Sequence, residues 1–302
     1  DKGLVTVTRD RLYEEDTSVI SGVSDDSKYR TEYNLNEHQK NAVDEITSCD
    51  RFAVFLLYGV TGSGKTEVFL NCAADTASKG GQVLYLVPEI SLTPQTVSWI
   101  KGRLGNDCAV LHSKLTDRQR YEQWNMIRSG RARVVVGPRS AVFAPLENIG
   151  LIVIDEEHDG SYVSESAPRY NTIDIAKFRT NYYGGKVVLG SATPSIESFL
   201  LAKNNDYNLV RLPERINKKP LPEIITVDMR KEIRHGNSTP FSGELKTQLK
   251  ACLDNGNQAI LFLNQRGYSK SVICTECGHV IKCDNCDVSL TYHKEDESLL
   301  CH

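Results

Sequence analysis

Tyr58-Gly59-Val60-Thr61-Gly62-Ser63-Gly64-Lys65-Thr66 decides how this chain folds. It matches G-x-x-x-x-G-K-[ST], the pattern of a phosphate-binding loop, and its flanks are those the pattern requires. Before it lies the apolar run Phe52 to Leu57, which reads as a strand; after it lies Glu67 to Ser78, which reads as a helix. Glycines at 59, 62 and 64 permit a tight turn, so that N–H groups of the cradle from Gly59 through Thr61 and Ser63 to Thr66 point inward at phosphate oxygens. The following helix adds its positive end. Lys65 then reaches the β- and γ-phosphates of ATP, and Thr66 ligates Mg²⁺.

Outward from this loop, apolar runs recur at Gln82 to Val87, Cys108 to His112, Arg133 to Gly137, Leu151 to Ile154 and Lys186 to Leu189. Helix-like segments such as Gln95 to Arg103 and Asp117 to Arg128 separate most of them. Continuous Val/Ile/Leu strands alternating with helices predict an α/β fold: a parallel sheet with helices on both faces, the RecA-like lobe of a P-loop NTPase. Ligands in such folds bind at the carboxyl ends of the strands.

Two stretches extend the nucleotide site. Leu35 to Ile46 reads as an amphipathic helix capped by Asn34 or Asn36. Its Gln39 lies about 20 residues before the loop, where one large class of ATPases holds adenine by a glutamine amide; the bland alternative is a surface glutamine. Downstream, the strand Leu151 to Ile154 ends in Asp155-Glu156-Glu157-His158. Two acids there form the second half of an ATPase site, Asp155 holding Mg²⁺ and Glu156 polarising the attacking water. Gly190-Ser191-Ala192-Thr193-Pro194 follows the next strand, and its small hydroxyl residues suit a loop that reports nucleotide state.

At 302 residues the chain is long enough for two domains, and it is 40% hydrophobic and 25% charged with net charge −3, the composition of a globular protein. No run of about 20 apolar residues and no secretory signal occurs, so a cytoplasmic protein without a membrane span is expected. The near-neutral balance neither supports nor excludes nucleic acid, since a local basic surface can hide within it. The chain does not begin with Met and stops just after a cysteine cluster has begun, as a fragment would. Of nine cysteines, Cys49, Cys72, Cys108 and Cys252 read as small core residues, whereas Cys274, Cys277, Cys283, Cys286 and Cys301 crowd into the last 29 positions. Thiolates paired two residues apart suit structural zinc rather than disulfides. A local site made of the four cysteines from 274 to 286 is one arrangement.

The combination of motifs is more telling than any one. Residues 59–68 (GVTGSGKTEV), 87–95 (VPEISLTPQ), 137–145 (GPRSAVFAP), 155–162 (DEEHDGSY), 262–268 (FLNQRGY) and the closing cysteines resemble the PriA family of bacterial replication-restart helicases, within superfamily 2, over about residues 34–302. The resemblance implies a 3′→5′ DNA helicase that hydrolyses ATP on single-stranded DNA at stalled forks, associated with the nucleoid. Its partners would be forked DNA, primosome proteins and single-stranded DNA-binding protein. It places Gln39 on adenine, Lys65, Thr66 and Asp155 on phosphate and magnesium, and Asp155 with Glu156 in hydrolysis. Arg139 falls in a motif facing the DNA backbone, with a solvated arginine as the alternative. The loop from Tyr162 to Tyr170 corresponds to one coupling DNA binding to hydrolysis: Tyr162, Arg169 and Tyr170 offer stacking faces, with Thr193 in the reporting loop. Two tyrosines packed in the core are the competing reading, and Val-Ser-Glu-Ser-Ala at 163–167 is less basic than the family pattern. The resemblance also implies two zinc sites in the full-length protein, with Cys283, Cys286 and Cys301 in one, and Cys274 and Cys277 in the other.

The expected organisation is a linker or tail of a preceding DNA-binding domain at 1–33, the ATP-binding lobe at 34–205, a linker and the start of a second lobe at 206–270, and an incomplete zinc region at 271–302. Pro213, Pro220 and Pro222 mark the crossing, and strands are expected at Glu223 to Asp228 and Ala259 to Leu263 about a helix at Ser242 to Asp254. Two other functions share the motifs: a fork-DNA scaffold with ATP as a switch, and a duplex translocase without strand separation.

Overall fold

The computed structural model describes residues 34–105, 107–218, 220, 222–237, 239–262, 272, 277, 279–284, 286, 288–293 and 298–301. The expectations for residues 1–33, for Cys274 and for the stretch 263–268 lie outside them. The chain divides into two compact units, Asp1–Pro220 and Leu221–His302.

In chain order the first unit carries α1 (Glu37–Thr47), β1 (Ala53–Gly59), α2 (Lys65–Ser78), β2 (Gln82–Leu86), α3 (Pro94–Leu104), β3 (Cys108–Val110) and α4 (Asp117–Arg128). There follow β4 (Val134–Gly137), β5 (Ile149–Asp155), α5 (Thr172–Tyr183), β6 (Lys186–Ser191), α6 (Ile196–Lys203) and β7 (Asn208–Leu212). Local chemistry sets many of these limits. Asn36 and Thr116 open α1 and α4 with reciprocal capping boxes to Gln39 and Gln119, and Gly184 ends α5 in the left-handed region.

The seven strands form one all-parallel sheet in the order β3-β4-β2-β5-β6-β1-β7. Strand alternation sends Phe55 and Leu57 of β1 to one face and Val54 and Leu56 to the other. The first face packs under α1, α2 and α3 through Ile46, Phe69 and Ile100; the second packs under α4, α5 and α6 through Ile127, Ala176 and Ala202. This is the α/β lobe expected from the apolar runs, and burial on both faces explains why those runs do not alternate with polar residues.

One expected boundary moves. Residues 206–212 are not a crossing segment, because β7 pairs with β1 from Phe55↔Asn208 to Gly59↔Leu212 and completes the sheet. The first unit therefore extends to Pro220 rather than 205. In the second unit are α7 (Met229–Arg234), α8 (Gly243–Asp254) and an antiparallel pair, β8 (Thr291–His293) with β9 (Ser298–Leu300). The helix expected at 242–254 is α8, with Ser242 as its cap. The two strands expected beside it are absent among the described residues: 222–228 and 257–262 are irregular, with Ile224 and Ile260 exposed. A strand needs a neighbour for its backbone groups, and neither stretch has one among the described residues.

Gly190 in β6 shows how tightly the site end of the sheet is packed. A Cβ there would lie 2.2 Å from Cζ of Phe69, whose buried ring is held edge-on to Tyr85 at 6.0 Å. Gly190→Ala is expected to destabilise the protein by about 1–3 kcal/mol, read as a lower chemical-denaturation midpoint. An unchanged midpoint would mean that the Phe69 ring can move aside.

Candidate nucleotide and nucleic-acid site

Because β5, β6 and β1 are neighbours, their carboxyl ends gather Asp155, Ser191 and Gly59 along one edge of the sheet. The loop after β1 turns back through Ser63 N–H donating to the Val60 carbonyl at 3.0 Å. Gly62 and Gly64 both adopt φ +80°, a conformation that other residues reach only with strain. Helix α2 starts at Lys65, so the N–H groups of its first turn face the cradle. Lys65 is 8% exposed, and its Nζ donates to the Gly59 carbonyl at 3.2 Å. Ser63 buries a hydroxyl oxygen that has no partner among the described residues. A left-handed glycine turn, a helix start, a buried ammonium and an unanswered hydroxyl together fit a nucleoside triphosphate.

Opposite the loop, Asp155 ends β5. Burial above all, and then the neighbouring Glu156 charge, push its carboxyl up to about 6 from an ordinary 3.8, while the Lys65 ammonium opposes the shift. Lys65 and Asp155 therefore feel one another across the site. Tyr85 donates its hydroxyl to Asp155 Oδ2 at 3.4 Å. A half-buried carboxylate beside a second acid is the electrostatic setting that a divalent cation stabilises. Glu156 takes φ +48°, unusual for a residue with a side chain, and its N–H donates to Asp155 Oδ1 at 3.0 Å. That turn leaves the Glu156 carboxylate partly exposed, 3.6 Å from His158 Nδ1.

His158 and Glu157 join this strand end to the loop after β6. His158 Nδ1 pairs with Ser191 Oγ at 2.7 Å, and its Nε2 lies 3.4 Å from Thr193 Oγ1. Glu157 is buried and accepts three hydrogen bonds, from Ser195 N–H at 2.7 Å, Ser195 hydroxyl at 3.1 Å and Ser198 hydroxyl at 2.9 Å. The start of α6 is thereby fastened to the end of β5. Composition gave no sign of this role, since Glu157 reads as one more acid in an acidic run.

Several of the expected contact residues have partners within the chain. The amide of Gln39 is buried and already engaged: its Nε2 donates to the Ser63 carbonyl at 3.0 Å and its Oε1 accepts from Asn36 N–H. Gln39 thus clasps the phosphate loop, a role that spacing alone does not distinguish from a base contact. Tyr162 offers no stacking face: it is 1% exposed, and its hydroxyl donates to the Asp155 carbonyl at 2.7 Å. Arg139 spends Nη1 on the carbonyls of Ser161 and Val163, at 3.2 and 2.7 Å, instead of standing free. Arg169 is exposed, and Tyr170 packs edge-on against Phe143 at 5.0 Å. Phe143 itself is 49% exposed, an aromatic surface beside the loop that pattern reading passed over, because a 3₁₀ turn at Arg139–Phe143 buries Val142 and turns Phe143 outward.

In the second unit, Cys283, Cys286 and Cys301 bring their sulfurs within 4.8 Å of one another. Three convergent thiols are the donor set of a structural zinc, and they are the three that the family pattern grouped. Cys277 is described but stands outside the cluster.

A family model described as DEAD/DEAH box helicase matches residues 36–200, which include every residue of the strand-end site. The chain belongs to that family. A second model, the PriA DNA helicase Cys-rich region domain, matches residues 283–302 of the chain and so takes in the cysteine cluster. The chain is 47% identical over 271 residues to replication restart protein PriA of Bacillus subtilis, covering 89% of this chain and 34% of that protein. To the Synechocystis protein of the same name it is 44% identical over 264 residues, covering 86% and 32%. For Haemophilus influenzae the identity is 41% over 269 residues, covering 89% and 36%. The chain thus spans about a third of the length of these relatives. No helix among its described residues is long and apolar enough to cross a membrane.

Proposed function

We propose that this chain is the ATP-driven motor portion of a 3′→5′ DNA helicase that restarts replication at stalled forks. What carries the reading is the pair of half-sites that the sheet gathers at one edge, Lys65 at the start of α2 in the phosphate cradle after β1 and Asp155–Glu156 at the end of β5, one strand apart. The identity to PriA proteins over most of the chain supports the fork assignment.

When bound, Mg²⁺ would be held by Thr66 and Asp155 and would neutralise charge on the phosphates. Lys65 orients and stabilises the terminal phosphates, and Glu156 takes the proton of the attacking water. His158, Ser191 and Thr193 connect that water-activating end to the loop after β6. Arg169, Tyr170 and Phe143 supply the exposed charge and aromatic surface on which single-stranded DNA would stack. Residues 34–220 act as the first motor lobe, and the chain beyond them begins a second lobe and a cysteine-rich zinc region. Two zinc ions per full-length protein, primosome proteins and single-stranded DNA-binding protein as partners, and a cytoplasmic, nucleoid-associated location complete the proposal.

Strand displacement tests it. The full-length protein with ATP is expected to displace the strand of a partial duplex bearing a 3′ single-stranded tail and to leave a 5′-tailed duplex paired. DNA-stimulated hydrolysis without displacement of either would favour a duplex translocase. Hydrolysis indifferent to DNA would favour a scaffold that uses ATP as a switch.

A further inference from the structure

After β7 the chain does not leave the phosphate loop. Leu212 accepts from Val60 N–H at 3.3 Å, and four residues on the Ile216 amide donates to the Gly62 carbonyl at 3.0 Å. The side chain follows: a Cβ placed on Gly64 would lie 2.7 Å from Ile216 Cδ1 and 2.3 Å from Gln39 Nε2. Ile216 and Gln39 therefore flank the same glycine at the start of α2. Yet Ile216 is 59% exposed. An apolar side chain fixed in place by its own backbone, with more than half its surface open at the rim of an anion cradle, presents a wall for a flat apolar group. In a nucleotide whose phosphates fill that cradle, the flat apolar group is the purine ring. The preceding residue, Arg215, buries its Nε with no partner among the described residues, a polar demand at the same turn that a nucleotide acceptor would answer.

We propose that Ile216 forms the base-side wall of the nucleotide site, packing on the purine while the cradle holds the phosphates. The inference rests on the reading of the phosphate loop as an ATP site. A wall of this kind acts on the base and not on the phosphates, and that separates it from a residue that merely props the loop.

The test is competition in the full-length protein, with a ribose-tagged fluorescent ATP analogue displaced by ATP or by inorganic tripolyphosphate. Ile216→Ala is expected to weaken ATP about tenfold, the size appropriate to uncovering a partly exposed isoleucine face, and to leave tripolyphosphate within about twofold. Ile216→Leu keeps ATP within about twofold of the parent, because it restores the apolar surface. Lys65→Ala weakens both competitors. If Ile216→Ala weakens both equally, Ile216 props the loop and the wall is overturned; if it weakens neither, the wall is overturned and the ATP site stands on Lys65→Ala. Failure of the parent protein to bind ATP would remove the nucleotide reading and the wall together.

Discussion

Replacing Lys65 by alanine is expected to lower ATP hydrolysis by the full-length protein at least about a hundredfold, with or without forked DNA, when phosphate release is followed at saturating ATP. The reason is positional. The ammonium is buried at the mouth of the cradle, held by the Gly59 carbonyl, and it acts on the Asp155 carboxyl across the site. Alanine removes the charge that would meet the terminal phosphates and that opposes the upward shift of the Asp155 carboxyl. It also leaves the Gly59 carbonyl without this donor. The parent enzyme, in contrast, is expected to respond strongly to forked DNA bearing a single-stranded arm. Hydrolysis that survives the loss of Lys65 would sink the motor reading, and a parent rate that ignores DNA would leave the scaffold as the better account.

Glu156→Gln separates chemistry from binding. Hydrolysis is expected to fall about 10²–10⁴-fold, the range for loss of a general base, while ATP affinity stays within about threefold. The substitution keeps size and shape, and the turn at this residue is fixed by its own N–H bonding to Asp155, which glutamine retains. The ability to accept a proton is lost, together with the charge that raises the Asp155 carboxyl. Single-turnover phosphate release beside equilibrium nucleotide binding distinguishes the outcomes. If binding and hydrolysis fell together, Glu156 would be holding the nucleotide or its metal instead of polarising water.

The sequence was most readable where function depends on local geometry. Glycines at 62 and 64 announce their left-handed turns, Lys65 opens its helix, and Asp155 ends its strand, because each property belongs to a few consecutive residues. The apolar runs revealed the parallel sheet for the same reason, since each strand is buried on both faces. Roles set by distant chain were hidden. For Tyr162 the pattern left a stacking face and a core position both open, and it is the Asp155 carbonyl and the core beneath it that make it a buried post. Gln39 was singled out by spacing, but its bonds to the loop 24 residues on depend on how α1 lies. β7 escaped notice because Asn208–Leu212 includes an asparagine and an arginine and is followed by prolines, the composition of a linker. The return of Ile216 to Gly62 leaves no local trace at all.

The pairing of β7 with β1 carries a practical lesson for anyone who cuts this lobe out for expression. Severing the chain at residue 205 removes the outermost strand and leaves Ala53–Gly59, an apolar ribbon built for the interior, as a bare rim of unsatisfied amides and carbonyls. Such a rim recruits other copies edge to edge, so the shorter fragment should precipitate where one ending at 220 stays dispersed.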